Sequence, residues 1–456
     1  MSSASLDAAQ ALLTQPGEVP DFTKYGIDPV HGFLPVNPPP LTRLPAAFEA
    51  WEKVLDVLQP LLLAGKLRHA IDQLPLLDVN EFTCLREWQR AYTVLCFLGQ
   101  GYVWGKPEDP SEVLPMAIAK PWYEVARYLR LKPVISYAAV ELFNYRLLDP
   151  NGPWDLSNLS VMHVFTGLDE AWFYLISIAI EATGARAIPA ITDAMHAVLA
   201  NEPSVIANSL DVMAAVIDES IALLMRNYEK NDPHIFYHRL RPYLSGWENS
   251  AELPRGLFYE GDLPALAAGE PKGTFRKYAG ASAGQSSLIH CIDIALGVQH
   301  LPTRSAGCTF SGNTAPASSP ASAVCPPPTN HIHEMRRYMP GEHRDFVYAL
   351  ERGPSIRNFV LAALARDTRT PEEERMIAAY NHCADRMRAF RDRHLQIVAA
   401  YIIVQARRKR EMGIGADAQR ERAQQSLTAR GTGGTDLVPF LKQSRNETAE
   451  VLTTHQ

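Results

Sequence analysis

The sequence predicts an all-α protein, a small N-terminal helical domain followed by a larger helical bundle. Three observations predict it. Apolar residues recur at spacings of three and four through most of the chain, the period of one helix face. Alternating runs of β-branched residues, the mark of half-buried strands, are sparse. One segment near the C-terminus keeps the helical period for many turns.

Residues 1–45 carry three consecutive prolines, Pro38, Pro39 and Pro40, and few apolar runs, so they read as an extended arm on the surface. Residues 46–64 have helical period through Phe48, Trp51, Val54, Leu55, Val57 and Leu58, and residues 87–99 repeat it through Trp88, Tyr92, Leu95 and Cys96. A turn-rich loop occupies 105–111. The domain boundary is placed near Leu131, Lys132 and Pro133, making 1–131 the small domain and 132–456 the large one. Further helical patterns occupy 134–145, 169–183, 188–200, 203–227 and 283–299. Residues 302–330 hold too little apolar surface to order themselves and read as a mobile insertion. The charged, Gln-rich segment 408–430 reads the same way.

The last long helix opens at Thr370, a capping residue, with Pro371 at the tolerated first position. Met376, Tyr380, Cys383, Met387, Phe390, His394, Ile397, Tyr401 and Val404 then share one face. Arg386, Arg388, Asp392, Arg393 and Arg407 fall off it. One imidazole therefore points at the core from a rigid element. A buried ring without a partner is costly. A backbone carbonyl or a carboxylate would satisfy it. So would a metal, and one axial histidine on a buried helix is what haem iron takes.

Composition narrows the classes. Hydrophobic residues make up 46% and charged residues 21%, as in an ordinary globular protein. The net charge of −6, with no basic domain, argues against a nucleic-acid partner. The N-terminus lacks the basic-then-apolar order of a secretory leader. The most apolar stretch, 172–182, is interrupted by Ser177 and Glu181, so no membrane span is expected. Six scattered cysteines without a CxxC pair fit a reducing compartment and predict a cytoplasmic protein. Cys308 and Cys325 share the 302–330 insertion, where a pairing is open, while Cys383 reads as core. With no extended apolar seam, a monomer is expected.

The segment Phe390-Arg391-Asp392-Arg393-His394-Leu395-Gln396-Ile397-Val398 resembles the proximal-haem helix of the indoleamine 2,3-dioxygenase family. Five further blocks resemble that family in the same order. They begin with Leu240-Arg241-Pro242-Tyr243-Leu244-Ser245-Gly246-Trp247 and Gly256-Leu257-Phe258-Tyr259-Glu260-Gly261. Ala281-Ser282-Ala283-Gly284-Gln285-Ser286-Ser287, Met335-Arg336-Arg337-Tyr338-Met339-Pro340 and Gly431-Thr432-Gly433-Gly434-Thr435-Asp436-Leu437 complete the set. Together they span roughly 130–440.

The resemblance implies haem b, one per chain, with His394 on the iron. It pairs Arg391 with Asp293, which sits between Ile292 and Ile294 as a paired charge should. That pair reads either as a clamp near the haem propionates or as a structural ion pair. Ser282 and Ala283 would approach both haem and substrate. The resemblance puts Tyr137, Val140, Phe173, Tyr174, Phe236 and Tyr237 on the walls of a pocket for a flat indole, where aromatic rings add affinity. Tyr174 and Tyr237 stand where the family usually has Phe. Ser177 would be the one small hydroxyl on the oxygen-binding side. Arg241 would grip the substrate carboxylate, since a guanidinium does so bidentately. Thr432 matches a loop that closes over the ligand, although a flexible linker is the plainer reading. Arg336 reads as scaffold. His290, His300 and His382 read as surface or capping residues, and His331 and His333 lack a third nearby ligand.

The implied function is insertion of both atoms of O2 across the indole C2–C3 bond of L-tryptophan. The product is N-formylkynurenine, the first step of the kynurenine pathway, and an electron donor would keep the iron ferrous. No strong general base is expected in the pocket. The alternative is a haem-binding paralogue with little turnover, acting as a sensor or haem buffer. A third reading is a helical scaffold without cofactor.

Overall fold

The computed structural model describes residues 17–106, 108–262, 272–302, 330–411, 431, 432 and 437–453. Both expected insertions, with Cys308 and Cys325, fall almost wholly outside these, as do Gly433, Gly434, Thr435 and Asp436. The chain is all-α, as its periodicity predicts.

Residues 46–64 form two short helices, α1 (Glu49–Asp56) and α2 (Leu58–Leu63), with α3 (Leu67–Asp72) after them. The expected single helix breaks at Val57, which leaves the helical region. Pro60 supplies the reason, because it has no N–H to return to residue 56. α4 (Leu85–Trp104) is buried for most of its length, so it is the central element of this half. α5 (Met116–Tyr128) packs on it. Gln100 and Trp104 of α4 donate hydrogen bonds to the Ser245 carbonyl, at 2.5 and 3.0 Å, and tie this half to the rest.

The described part of the proline-rich arm, residues 17–45, is irregular, but it is not a surface strap. Tyr25, Ile27, Phe33 and Leu34 are buried. The rings of Tyr25 and Phe33 pack on Phe346, with centroids 5.5 and 6.3 Å apart. Proline restricts the backbone and says nothing of the apolar residues between. Those residues anchor the arm.

Beside the arm, Arg90 and Glu52 form an ion pair with neither side chain more than 1% exposed. Arg90 donates twice to Glu52, at 2.9 and 2.6 Å, and once to His163 Nε2 at 2.6 Å. The Leu44 N–H also donates to Glu52, at 2.8 Å. Glu52→Ala would strand a buried guanidinium. It is expected to cost about 3–5 kcal/mol of stability, read as a lower urea midpoint at an unchanged slope.

Five short strands among the described residues were not legible in the sequence. β1 (Val113–Leu114), β4 (Leu257–Glu260) and β5 (Gly273–Arg276) form a sheet in the order β1-β4-β5. β2 (Tyr145–Leu147) pairs antiparallel with β3 (Leu159–Val161). The helix expected over 134–145 shrinks to one π-helical turn, Ala138–Leu142. Asn144 stops it, donating to the Val140 carbonyl at 3.2 Å and to the His163 carbonyl at 2.9 Å.

The larger half is a bundle. α6 (Leu168–Gly184), α7 (Ala187–Ala200) and α8 (Pro203–Met225) match the predicted segments closely. Joined, residues 168–200 are long and apolar enough to cross a membrane, but 67% of their most apolar window is buried inside the fold. They are core. α9 (Ser287–Leu296) ends at Gly297, whose φ of 68° is the left-handed cap glycine favours. α10 (Gly341–Arg352) and α11 (Ile356–Leu364) lead to α12 (Pro371–Val398). Thr370 and Glu373 cap α12 reciprocally, and Glu372, Glu373 and Glu374 face its positive end. α12 packs along α8. Through a π-helical turn, Ala399–Ile403, it continues into α13 (Val404–Glu411). α14 (Leu437–Ala449) returns to pack on α12.

Candidate functional site

A cavity with about 280 Å³ open to water-sized molecules lies between α6, α12, α14 and the loops 281–286 and 431–432. Its chemistry starts from one helix face. Met387, Phe390, Arg391, His394, Ile397 and Val398 recur at three and four along α12, so they share one side, and all line the cavity. Three π-helical turns border it: Ala138–Leu142, Phe236–Leu240 and Ala399–Ile403. Each supplies a lining residue, Val140, Phe236 and Tyr401 among them. A π turn adds a residue to one helical turn and rotates the next turns about the axis. That is why Tyr401 still faces inward while Val404, the last member of the predicted stripe, is 39% exposed.

His394 is partly exposed, and the exposed part of its ring faces this cavity. Among the described residues none hydrogen-bonds to it. Burial, with the Arg391 charge nearby, lowers its pKa to about 4. It is therefore neutral at physiological pH, with a nitrogen lone pair free to ligate. No group of three or more His, Cys, Asp or Glu that could hold a bare ion occurs among the described residues. One histidine cannot hold a bare cation, which needs about four ligands. It suffices for an iron whose other ligands belong to a macrocycle. The donor set fits haem.

Arg391 lines the same wall, and Asp293 stands behind it. Asp293 lies outside the cavity lining, so it reaches any ligand only through Arg391, 2.6 Å away. Arg391 also donates to the Thr448 hydroxyl on α14. His300 extends the chain of charges, with Nε2 3.1 Å from Asp293 and Nδ1 2.8 Å from Glu447. His300 is thus no surface residue, and neither is His290. His290 meets the Gly284 carbonyl at 2.9 Å and takes a hydrogen bond from Arg336. Arg336 is paired with Glu351 at 2.8 Å, in keeping with its reading as scaffold. His382 is exposed.

The His300 relay has a pH signature. Burial lowers the His300 pKa, but hydrogen bonds to Asp293 and Glu447 outweigh it and raise the group above its ordinary 6.5. Burial raises Asp293 and Glu447, and their cationic partners, Arg391 and His300, outweigh it and depress both. The histidine contribution is therefore complete below about pH 6.5 and is lost as pH rises through the folded value. The carboxylate contribution is lost only as pH falls through depressed values. The melting temperature is expected to fall on the alkaline side of neutrality. His300→Gln should flatten that limb in thermal melts taken across pH, and an unaltered limb would refute the relay.

Across the cavity, Phe173 and Ser177 project from α6, four residues apart on one face. The Phe173 and Phe236 ring centroids are 5.1 Å apart, and Phe236 meets Tyr401 edge-on at 5.5 Å. Tyr137 and Val140 join this wall. Tyr174 and Tyr237 do not. Neighbours on a helix diverge by about 100°, so each points away from the cavity that Phe173 or Phe236 faces. Tyr174 is fully buried and donates to Glu170 at 2.9 Å. Tyr237 lies beneath the Arg241 guanidinium, 5.7 Å from its ring centroid. Arg241 itself is 4% exposed and lines the cavity. Burial lowers its pKa below the usual arginine range.

The loop wall is built on close backbone contact. A Cβ on Gly280 would meet the Leu244 carbonyl at 2.0 Å, and one on Gly246 the Tyr278 carbonyl at 2.3 Å. Glycine at both lets the Arg241 segment touch the 278–281 segment. Ser282 accepts from the Gly284 N–H at 3.2 Å, and Ser282 and Ala283 line the cavity. Thr432 donates to the Ala281 carbonyl at 2.6 Å and accepts from the Gly280 N–H at 3.0 Å. Residue 432 is thus strapped across the 280–281 edge.

Several lining residues escape a reading of the sequence. Glu141 is one, a buried carboxyl in the wall. Behind it Glu181 accepts from Tyr137 at 2.9 Å and Ser286 at 2.6 Å. Phe440, Leu441 and Ser444 of α14 and His331 also line the cavity. Glu141 had a visible signal, a charge between apolar Val140 and Leu142. A second, shallower groove on α7 and α8, near Asp193 and His196, shares none of these groups.

A sequence model described as indoleamine 2,3-dioxygenase matches residues 21–451. An indoleamine 2,3-dioxygenase of Saccharomyces cerevisiae (strain ATCC 204508 / S288c) is 34% identical, over 98% of this chain and 97% of its own length. One from Aspergillus nanangensis is 35% identical, over 96% and 98%. Indoleamine 2,3-dioxygenase 1 of Rattus norvegicus is 32% identical, over 94% and 95%.

Proposed function

The chain belongs to the indoleamine 2,3-dioxygenase family and is an enzyme of that class, and from that premise we propose that it is a haem dioxygenase of L-tryptophan. It inserts both atoms of O2 across the indole C2–C3 bond and yields N-formylkynurenine. The observation that carries this reading is His394, a neutral ring without a hydrogen-bond partner among the described residues, facing an enclosed cavity that also holds Arg241.

Haem b, when bound, supplies the iron at which O2 is activated. His394 would hold that iron from α12. Arg391, fixed by Asp293 and Thr448, would meet the carboxylates of the macrocycle, with Ser282 and Ala283 at its edge. Phe173 and Phe236, in contact with each other, would form one aromatic wall against which the indole packs and its C2–C3 bond is oriented. Arg241 would take the carboxylate, and Thr432 would close the ammonium end. The hydroxyl of Ser177 would stand as a small polar group beside the reacting carbon. Catalysis by this chain is then positioning and exclusion of water, with the redox chemistry left to the cofactor. Cytoplasmic residence belongs to the same proposal, supported by Cys84, Cys96, Cys291 and Cys383 as free thiols.

The test is product formation from L-tryptophan by haem-loaded, chemically reduced protein in air. N-formylkynurenine at low tryptophan is the expected result. Haem bound and ferrous, with no product at any concentration, would overturn the dioxygenase reading.

A further inference from the structure

The corner of the cavity lined by Tyr137, Glu141 and Ser286, with Glu181 behind them, is rich in acceptors and short of donors. Both hydroxyls donate to the same oxygen of Glu181, at 2.9 and 2.6 Å. The other Glu181 oxygen, Oε2, is enclosed and receives no hydrogen bond from any described residue. Oε2 of Glu141 is enclosed and without a partner among the described residues as well, in a side chain 3% exposed that lines the cavity. Burial, with the charge of Glu181 nearby, pushes the Glu141 carboxyl well above the usual carboxylate range. The corner therefore holds a carboxyl that has no hydrogen-bond partner among the described residues, which is a costly arrangement inside an apolar wall.

A ligand that brings a donor relieves it. We propose that Glu141 is a specificity-determining residue that selects indole substrates carrying a hydrogen-bond donor, a hydroxyl or amino group, on the aromatic ring. The amino-acid end of the substrate is already served by Arg241 and the Thr432 strap. The acceptor-rich corner comes from other elements, the π turn Ala138–Leu142, α6 and the start of α9, so it faces a different part of the ligand. A site whose buried polar groups are completed only by the right ligand discriminates strongly against the analogue lacking that group. This inference rests on the proposed function, since it assumes an indole in the cavity.

The experiment compares L-tryptophan with its four ring-hydroxylated isomers on the haem-loaded enzyme, its Glu141→Leu variant and its Glu141→Gln variant. The readout is the ratio of kcat/KM for each isomer to that for L-tryptophan, alongside the ratio of dissociation constants from spectral titration. For at least one isomer, both ratios are expected to favour it in the native enzyme. Glu141→Leu should shift them tenfold or more towards L-tryptophan, and Glu141→Gln, which keeps an acceptor, should restore part of the preference. Ratios that agree within twofold between native and Glu141→Leu protein for every isomer would overturn the proposal. If the native enzyme turns over none of these indoles, the dioxygenase reading fails. The dissociation-constant ratios then still decide the role of Glu141.

Discussion

His394→Ala is expected to give protein that folds and does not keep haem. The fold should survive because the ring makes no hydrogen bond to any described residue and is partly exposed to the cavity, so truncation strands no buried polar group. The helix should survive too, since alanine is the best helix former and α12 is capped 24 residues upstream by Thr370 and Glu373. The bond to iron has no substitute. Among the described residues the nearest cationic neighbour on the same face is Arg391, which cannot ligate. After haem loading and desalting, the variant should show a melting curve close to native and no stable haem absorption. Added imidazole, which fits the space left by the ring, should restore part of the spectrum. A normal five-coordinate ferrous spectrum without imidazole would refute the assignment of His394 as ligand.

The second large effect belongs to Arg241. It sits buried in the cavity wall, and burial lowers its pKa, so its charge is already partly desolvated before substrate enters. Such a pre-arranged cation binds a carboxylate far better than an exposed one would. Losing one partner of a desolvated, hydrogen-bonded charge pair costs about 2–5 kcal/mol. That corresponds to a fall of roughly 30- to 5,000-fold in kcat/KM for L-tryptophan. Haem content and spectrum should be unchanged in Arg241→Ala, because Arg241 and His394 come from different elements. Arg241→Lys keeps the charge without the planar fork and should recover only part of the loss. Kinetics equal to native in the alanine variant would remove Arg241 from substrate recognition.

Much of the frame of this site is legible in the sequence. The Thr370 cap, the Pro371 start and the stripe from Met376 to Ile397 are local signals, and α12 obeys them. Asp293 announces itself as a charge in an apolar helix, and its partner is Arg391 at 2.6 Å. Glu141 carries the same signal, but the period of its segment does not distinguish an ordinary helix from a π turn, so its place in the cavity wall stays hidden. The family resemblance puts Tyr174 and Tyr237 in the pocket beside Phe173 and Phe236. Adjacent helical residues diverge by about 100°, and here Tyr174 turns to Glu170 and Tyr237 to Arg241, leaving Phe173 and Phe236 in the cavity wall. His300 and Glu447 have no readable link, being 147 residues apart across segments of low complexity.

The sequence by itself determined the all-α class, the main helices of the bundle, the inward face of α12 and the one imidazole on it, His394. These arise from periodicity and capping, which act within a few residues. Tertiary structure alone decided that Glu141 and His331 share the cavity, how the arm is anchored and that His300 and Glu447 extend the pair of Arg391 and Asp293. Those outcomes depend on three π turns that rotate their helices and on charges brought together from distant segments. Neither leaves a periodic trace along the chain, because the energy that fixes them comes from packing between elements.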